Sequence, residues 1–189
     1  MILMKKENVL VLIFVFLLPL FLVLFAYKTT LLLIPQSPEQ KETIAYLKSG
    51  EMLTLKYTPL EKSHLEDVKR VMTYTDYVFG GLFLVLMSIV VYFRKKRAVL
   101  KKMCLYGGIA TISILAIIVI LTTLFFDQAF ILFHLLLFPQ GNWTFAADSL
   151  LIETFPLEFF MRMSLLIFLQ TLVLGAILRI GAYFLEKRI

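Results

Sequence analysis

Two histidines stand in this 189-residue chain, each in a stretch where an imidazole could do chemistry. His64 lies in the polar run EKSHLEDVKRV, and His134 in the apolar run FILFHLLLFPQGNW. In the first run Ser63 and Glu66 have the S-x-x-E spacing of a capping box, which predicts a helix beginning there. His64 then falls in the first turn, where the helix dipole and free N–H groups disfavour a positive imidazole. A neutral imidazole can take up a proton near pH 7, as a general base must. Asp67 follows three residues on, in reach to orient the ring or stabilise the imidazolium. Without a function, the same residues are simply the polar start of a solvated helix.

His134 has apolar company. Phe130, Phe133 and Leu137 share one helical face, which is expected to dip into lipid as an interfacial helix. A histidine in such a run costs free energy unless it is partnered, so it is a functional candidate; a backbone carbonyl would also satisfy it. Pro139 and Gly141 predict a turn before Asn142 and Trp143. Trp143, Phe145, Phe155, Phe159 and Phe160 have the composition of an interfacial aromatic belt, which makes Trp143 an anchor on that reading. Asp148 and Glu153 are the acids in reach of this segment, or else solvated loop charges. A metal site of His64, Asp67, His134 and Asp148 would need both segments to converge, and nothing in the spacing demands it, so none is expected. No G-x-S-x-G, phosphate-binding loop or H-E-x-x-H occurs, and no cofactor is expected.

The elements that position these residues are set by hydrophobicity. The chain is 60% apolar with a formal net charge of +6, well beyond a soluble domain. Four runs are long enough to span a bilayer, at about 9–27, 77–93, 103–126 and 159–184. The run at 9–27 is too long for a signal-peptide core and lacks a small-x-small cleavage site, so it reads as a retained span. Gly80, Gly81, Gly107, Gly108, Gly175 and Gly181 are expected where helices pack closely. Lys5 and Lys6, the basic loop 94–102 and the closing EKRI all fall on one side, which the positive-inside rule makes cytoplasmic. Both termini are then cytoplasmic, and segments 28–76 and 127–158 face outside. The fold class is an all-α, four-span membrane protein with a small extracytoplasmic subdomain. Within 28–76, SPEQKETIAYLKSG carries the cap, Pro and Gly signals of a helix, and EMLTLKYTP alternates like a short strand. The one cysteine, Cys104, excludes an intrachain disulfide and lies at the cytoplasmic end of its span, away from both histidines. Basic residues hug helix ends rather than form a stripe, so nucleic acid is not an expected partner.

Two stretches together carry a resemblance: HLEDVKRV before the second span, and FHLLLFPQGNWTFAADSLLIETFPLEFF before the fourth. With the four-span layout they resemble the lipoprotein intramolecular transacylase family, small membrane proteins of Gram-positive bacteria. The resemblance implies an acyltransferase of the bacterial cell membrane with its active site outside. Its substrate would be a diacylated lipoprotein, held among membrane lipid, with a monomer as the favoured state. The sn-2 acyl chain of the S-diacylglyceryl group would move to the α-amine of the N-terminal cysteine, giving the lyso form. On that implication His64 is the general base, Asp67 sets its tautomer, and His134 is the acid or oxyanion donor, with the histidine roles exchangeable. Trp143 and Asn142 become candidate donors to the ester oxygen or the substrate peptide, and Phe145 and Asp148 line the substrate site. The alternatives are a membrane lipid or ester hydrolase, and a non-catalytic subunit that docks a partner through its outer loops.

Overall fold

The computed structural model describes residues 6–186. Lys5, Lys187 and Arg188, part of the expected basic pattern, lie outside the described residues. Regular structure among the described residues is entirely helical: α1 Lys6–Leu33, α2 Pro38–Ser49, α3 Pro59–Tyr92, α4 Arg97–Leu124, α5 Phe126–Leu137, α6 Leu150–Thr154 and α7 Leu157–Glu186. Four of them, α1, α3, α4 and α7, are long and apolar enough to cross a membrane. This is an all-α, multi-pass membrane protein.

Small residues let the long helices approach. A Cβ on Gly108 of α4 would stand 2.7 Å from the Gly175 carbonyl oxygen of α7, so only glycine permits this crossing. Phe14, Leu18 and Leu22 of α1 pack with Leu86, Ile89, Phe93 and Met103 into one apolar core. Between α1 and α7 the Gln170 amide accepts from Thr29 Oγ1 at 2.6 Å and donates to Thr30 Oγ1 at 2.8 Å. Gly80, Gly81 and Gly181 depart from expectation: a Cβ there would meet nothing within 4 Å. Gly80 and Gly81 sit on α3, whose main helix contacts are with α1 and α2, so much of its surface faces open space.

Helix α3 has 34 residues and spans about 51 Å, against about 30 Å of hydrocarbon. Its first turns therefore project beyond the membrane core, and α2, the coil 50–58 and α6 pack around them. Leu47, Tyr57, Leu65 and Leu151 form the core of this cap. Helix α2 carries the expected signals: Ser37 and Gln40 make a capping box, Pro38 opens the helix, and Gly50 closes it at φ 73°. The expected strand at 51–57 does not form. No second strand pairs with it, and its backbone is satisfied by a side chain, because the Glu42 carboxylate accepts from the Thr54 and Leu55 amides. Tyr57 is buried, with its hydroxyl 2.9 Å from Thr43 Oγ1 and 3.2 Å from Thr154 Oγ1.

The start of α3 also differs from the sequence reading. The cap is Thr58, five residues earlier than Ser63, with Pro59 in the first turn. Thr58 and Glu61 repeat the same four-residue spacing: the Glu61 amide donates to Thr58 Oγ1 at 3.3 Å, and the Thr58 amide to Glu61 Oε2 at 2.7 Å. Proline cannot sit in a helix interior without losing a hydrogen bond, so Pro59 favours the earlier start. His64 lies in the second turn, where the dipole argument no longer applies.

Candidate active site

Three pieces of chain build the site: the projecting turns of α3, the end of α5, and the loop 138–149. Glu61 fixes the first to the third. It is only 2% exposed, and its Oε1 accepts the Leu151 amide at 2.8 Å, so the start of α6 is tied to α3. Burial pushes its carboxyl up, but the amides of Thr58 and Leu151 outweigh that and hold it below the usual range.

One turn further, Asp67 holds the loop. It is 6% exposed and accepts hydrogen bonds from Arg70, Gln140 and Asn142, the last at 2.7 Å. Burial pushes this carboxyl up as well, and the Asn142 and Gln140 donors with the Arg70 charge more than reverse it. The expected hydrogen bond from Asp67 to His64 is not among the described contacts. Asp67 is bonded to the loop instead.

The two imidazoles meet across Phe138, which is 5% exposed. Its ring lies 4.7 Å from that of His64 and 6.0 Å from that of His134. Phe145 covers His64 at 5.4 Å, and Trp143 covers His134 at 4.8 Å. Burial lowers the basicity of His64, and the charge of His134 lowers it further; Asp67 and the Asn142 side chain offset part of this. His64 is thus biased toward the neutral form expected of it, through burial rather than a helix dipole. His134 Nδ1 lies 2.8 Å from the Phe130 carbonyl oxygen, which can only accept. That contact puts a hydrogen on Nδ1 and leaves Nε2 as the ring's open corner.

Three buried polar atoms in this region have no hydrogen bond of good geometry among the described residues: His64 Nδ1, Asn142 Oδ1 and Trp143 Nε1. Buried polar groups are almost always satisfied; Asn142 still acts on the His64 ring and raises its basicity, so the three atoms form one loosely satisfied polar cluster with capacity to bond an occupant. The Asn142 amide nitrogen is engaged, at 2.7 Å from Asp67 and 3.2 Å from Ser63 Oγ. Asn142 therefore presents an acceptor, not the donor expected from sequence. Asp148 is exposed on the turn before α6 and has no hydrogen bond or ion pair to the other site residues. No group of three His, Cys, Asp or Glu placed to hold a metal occurs among the described residues. Cys104 is a half-buried thiol in α4.

Sequence reasoning missed Phe138, Gln140, Ser63 and Glu61. The T-P-x-E spacing could have found Glu61, and the polar PQGN turn could have found Gln140. Phe138 is one of 18 phenylalanines, and nothing in the sequence singles it out.

This geometry has relatives. The sequence profile of the lipoprotein intramolecular transacylase Lit family matches residues 36–160, a stretch that holds every residue of the site. The chain belongs to this family. Its fold is also that of a solved transacylase: the membrane-integral lipoprotein intramolecular transacylase Lit from Bacillus cereus is 23% identical, with a TM-score of 0.81 and 96% of both chains covered. A second structure of the Bacillus cereus protein carries a histidine-to-arginine substitution; it matches at a TM-score of 0.80 and 22% identity, covering 96% of this chain and 92% of that one. An uncharacterized protein from Aquifex aeolicus (strain VF5) is 28% identical over 135 residues, which are 69% of this chain and 57% of the relative's length.

Proposed function

We propose that this chain performs intramolecular acyl transfer on bacterial lipoproteins at the extracytoplasmic face of the cell membrane. The sn-2 acyl chain of the S-diacylglyceryl group moves to the α-amine of the same cysteine. Donor and acceptor are one molecule, so attack closes a ring of about eight atoms, and holding that ring in a reactive pose can supply several kcal/mol. The observation that carries the reading is the set of three unmet polar atoms beside two imidazoles, enclosed by Phe138, Phe145 and Trp143.

Each group has a task in this scheme. His64, kept neutral by burial, takes a proton from the amine as its nitrogen bonds to the ester carbon. The Trp143 N–H donates to the carbonyl oxygen as it becomes an oxyanion. His134, in its charged form, gives a proton to the sn-2 oxygen as the C–O bond breaks. A proton then passes from His64 back to His134, and no acyl-enzyme forms. Asp67 positions the loop that carries Asn142 and Trp143, and the apolar faces of α5 and the neighbouring spans accept the acyl chains.

The test is mass spectrometry of the N-terminal lipopeptide after incubation with the purified protein, wild type against H64A and H134A. Transfer keeps the mass constant and moves one chain from glycerol to nitrogen, and either substitution should slow it by about 10²–10⁴. Loss of a fatty acid from the peptide would instead make the protein a hydrolase. Unchanged rates in both variants would leave the histidines structural.

A further inference from the structure

We propose that Asn142 Oδ1 is the acceptor that holds the substrate's α-amine while its nitrogen attacks the ester, a role that rests on the transacylase reading. The argument starts from which way the amide faces. Its Nδ2 lies 2.7 Å from Asp67 Oδ2 and 3.2 Å from Ser63 Oγ. Turning the amide over would press its oxygen against the Asp67 carboxylate, which Arg70 and Gln140 also hold in place. The orientation is therefore locked, and Oδ1 is left buried on the His64 side of the amide, with no hydrogen bond of good geometry among the described residues.

The unmet atoms then specify their occupant by complementarity. An amide oxygen only accepts and an indole N–H only donates, so the occupant must offer a donor at Asn142 and an acceptor at Trp143. On the reacting ring of an S-diacylglyceryl cysteine, the thioether and esters carry no donor. The α-amine is the one N–H group, and the sn-2 carbonyl is the acceptor that must sit beside it. With one amine hydrogen on Asn142 and another directed to His64, the nitrogen lone pair is left facing the ester carbon. When the N–C bond forms and the sn-2 C–O bond breaks, the first of these hydrogens stays on Asn142 as the N–H of the product amide. Gly81 lies on α3 away from these groups, and a Cβ there would meet nothing within 4 Å, so it serves as a comparison.

The experiment uses the full chain in detergent micelles and two inert ligands. Both are S-dialkylglyceryl (ether-linked) cysteine peptides, which cannot transfer a chain; one has the free α-amine, and in the other hydrogen replaces it. Wild type should bind the amine form about tenfold or more tightly, the range of a hydrogen bond to a charged group. N142A should bring the ratio to within about twofold, and G81A should leave it near the wild-type value. Because the ratio is taken within one preparation, partial loss of folded protein cancels. An N142A ratio equal to wild type overturns the proposal, as does a wild type with no preference or an N142A that binds neither ligand. A role in merely orienting His64 would slow turnover and leave the ratio intact, which also counts against it. Transfer by wild type on the diester peptide is scored in parallel: its absence sinks the transacylase reading, whereas transfer with an unchanged ratio sinks only the role of Asn142.

Discussion

Replacing Glu61 with alanine should unlatch α6 from α3 without touching either histidine. The side chain accepts the Thr58 amide, the Thr58 hydroxyl and the Leu151 amide at 2.7, 2.8 and 2.8 Å, and it is buried. Losing its half of the capping box costs about 1 kcal/mol. The Leu151 N–H is left buried without an acceptor, a further loss of about 1–3 kcal/mol. A total of about 2–4 kcal/mol corresponds to local opening about thirtyfold to a thousandfold more frequent. Hydrogen exchange followed by mass spectrometry should show this as faster exchange in peptides covering 58–66 and 149–155, with the core of α4 unchanged. Acyl transfer should fall with it, because Phe145 and Trp143 lie on the loop that α6 terminates. Glu61→Gln should lie between, since its oxygen can still take the Leu151 amide while its NH₂ cannot accept from Thr58. Unchanged exchange at 149–155 in E61A would refute the claim that this one carboxylate holds α6.

Glu61 also gives the cap an acid limit: its folded value is depressed, so its contribution is fully present above the unfolded value of about 4.3 and is lost as pH falls through the lower folded value. The same exchange experiment at pH 7 and at about pH 2, corrected for intrinsic exchange rates, should show protection at 149–155 lost at the lower value in wild type and little further change in E61A. Phe138→Ala should admit water to His64 and raise its protonation midpoint toward the ordinary value of about 6.5, read by NMR of the imidazole; a downward move would contradict burial as the main cause. Gly108→Leu should destabilise the α4–α7 crossing by about 1–3 kcal/mol or more, since its Cβ meets backbone, while Gly81→Leu should be near neutral; thermal unfolding in detergent compares the two.

Much of this architecture is legible in the sequence because lipid imposes coarse rules: about twenty apolar residues are needed per span, and polar residues are excluded. The helical state of the 126–137 stretch follows from those rules, whereas the convergence of His64 and His134 does not: the rules put both on one side, and only the resemblance puts them in one site. What the sequence hides depends on distant partners. The start of α3 was misplaced because two stretches share the same cap spacing, and Pro59 decides between them. The 51–57 stretch alternates like a strand, yet Glu42 of α2 accepts from its Thr54 and Leu55 amides, and no partner strand lies among the described residues. Whether Asn142 offers a donor or an acceptor turns on Asp67, 75 residues earlier, so no local pattern could reveal it. Gly80 and Gly81 look like packing glycines, but nothing in their neighbourhood says which helix, if any, lies opposite.

Because α3 is one unbroken helix, it also acts as a ruler. His64 and Asp67 stand on the same rod that crosses the bilayer, so their height above the hydrocarbon is a count of residues at about 1.5 Å each. One residue inserted between Asp67 and the span would lift the site by that step and swing it about 100° away from the loop it serves. An insertion of seven residues would nearly restore the facing, but it would raise His64 about 10 Å, away from His134 and, on the proposed reaction, from an ester anchored by its chains. On the proposed reaction, the number of residues between the His64 imidazole and the span must match the height at which the substrate's glycerol sits.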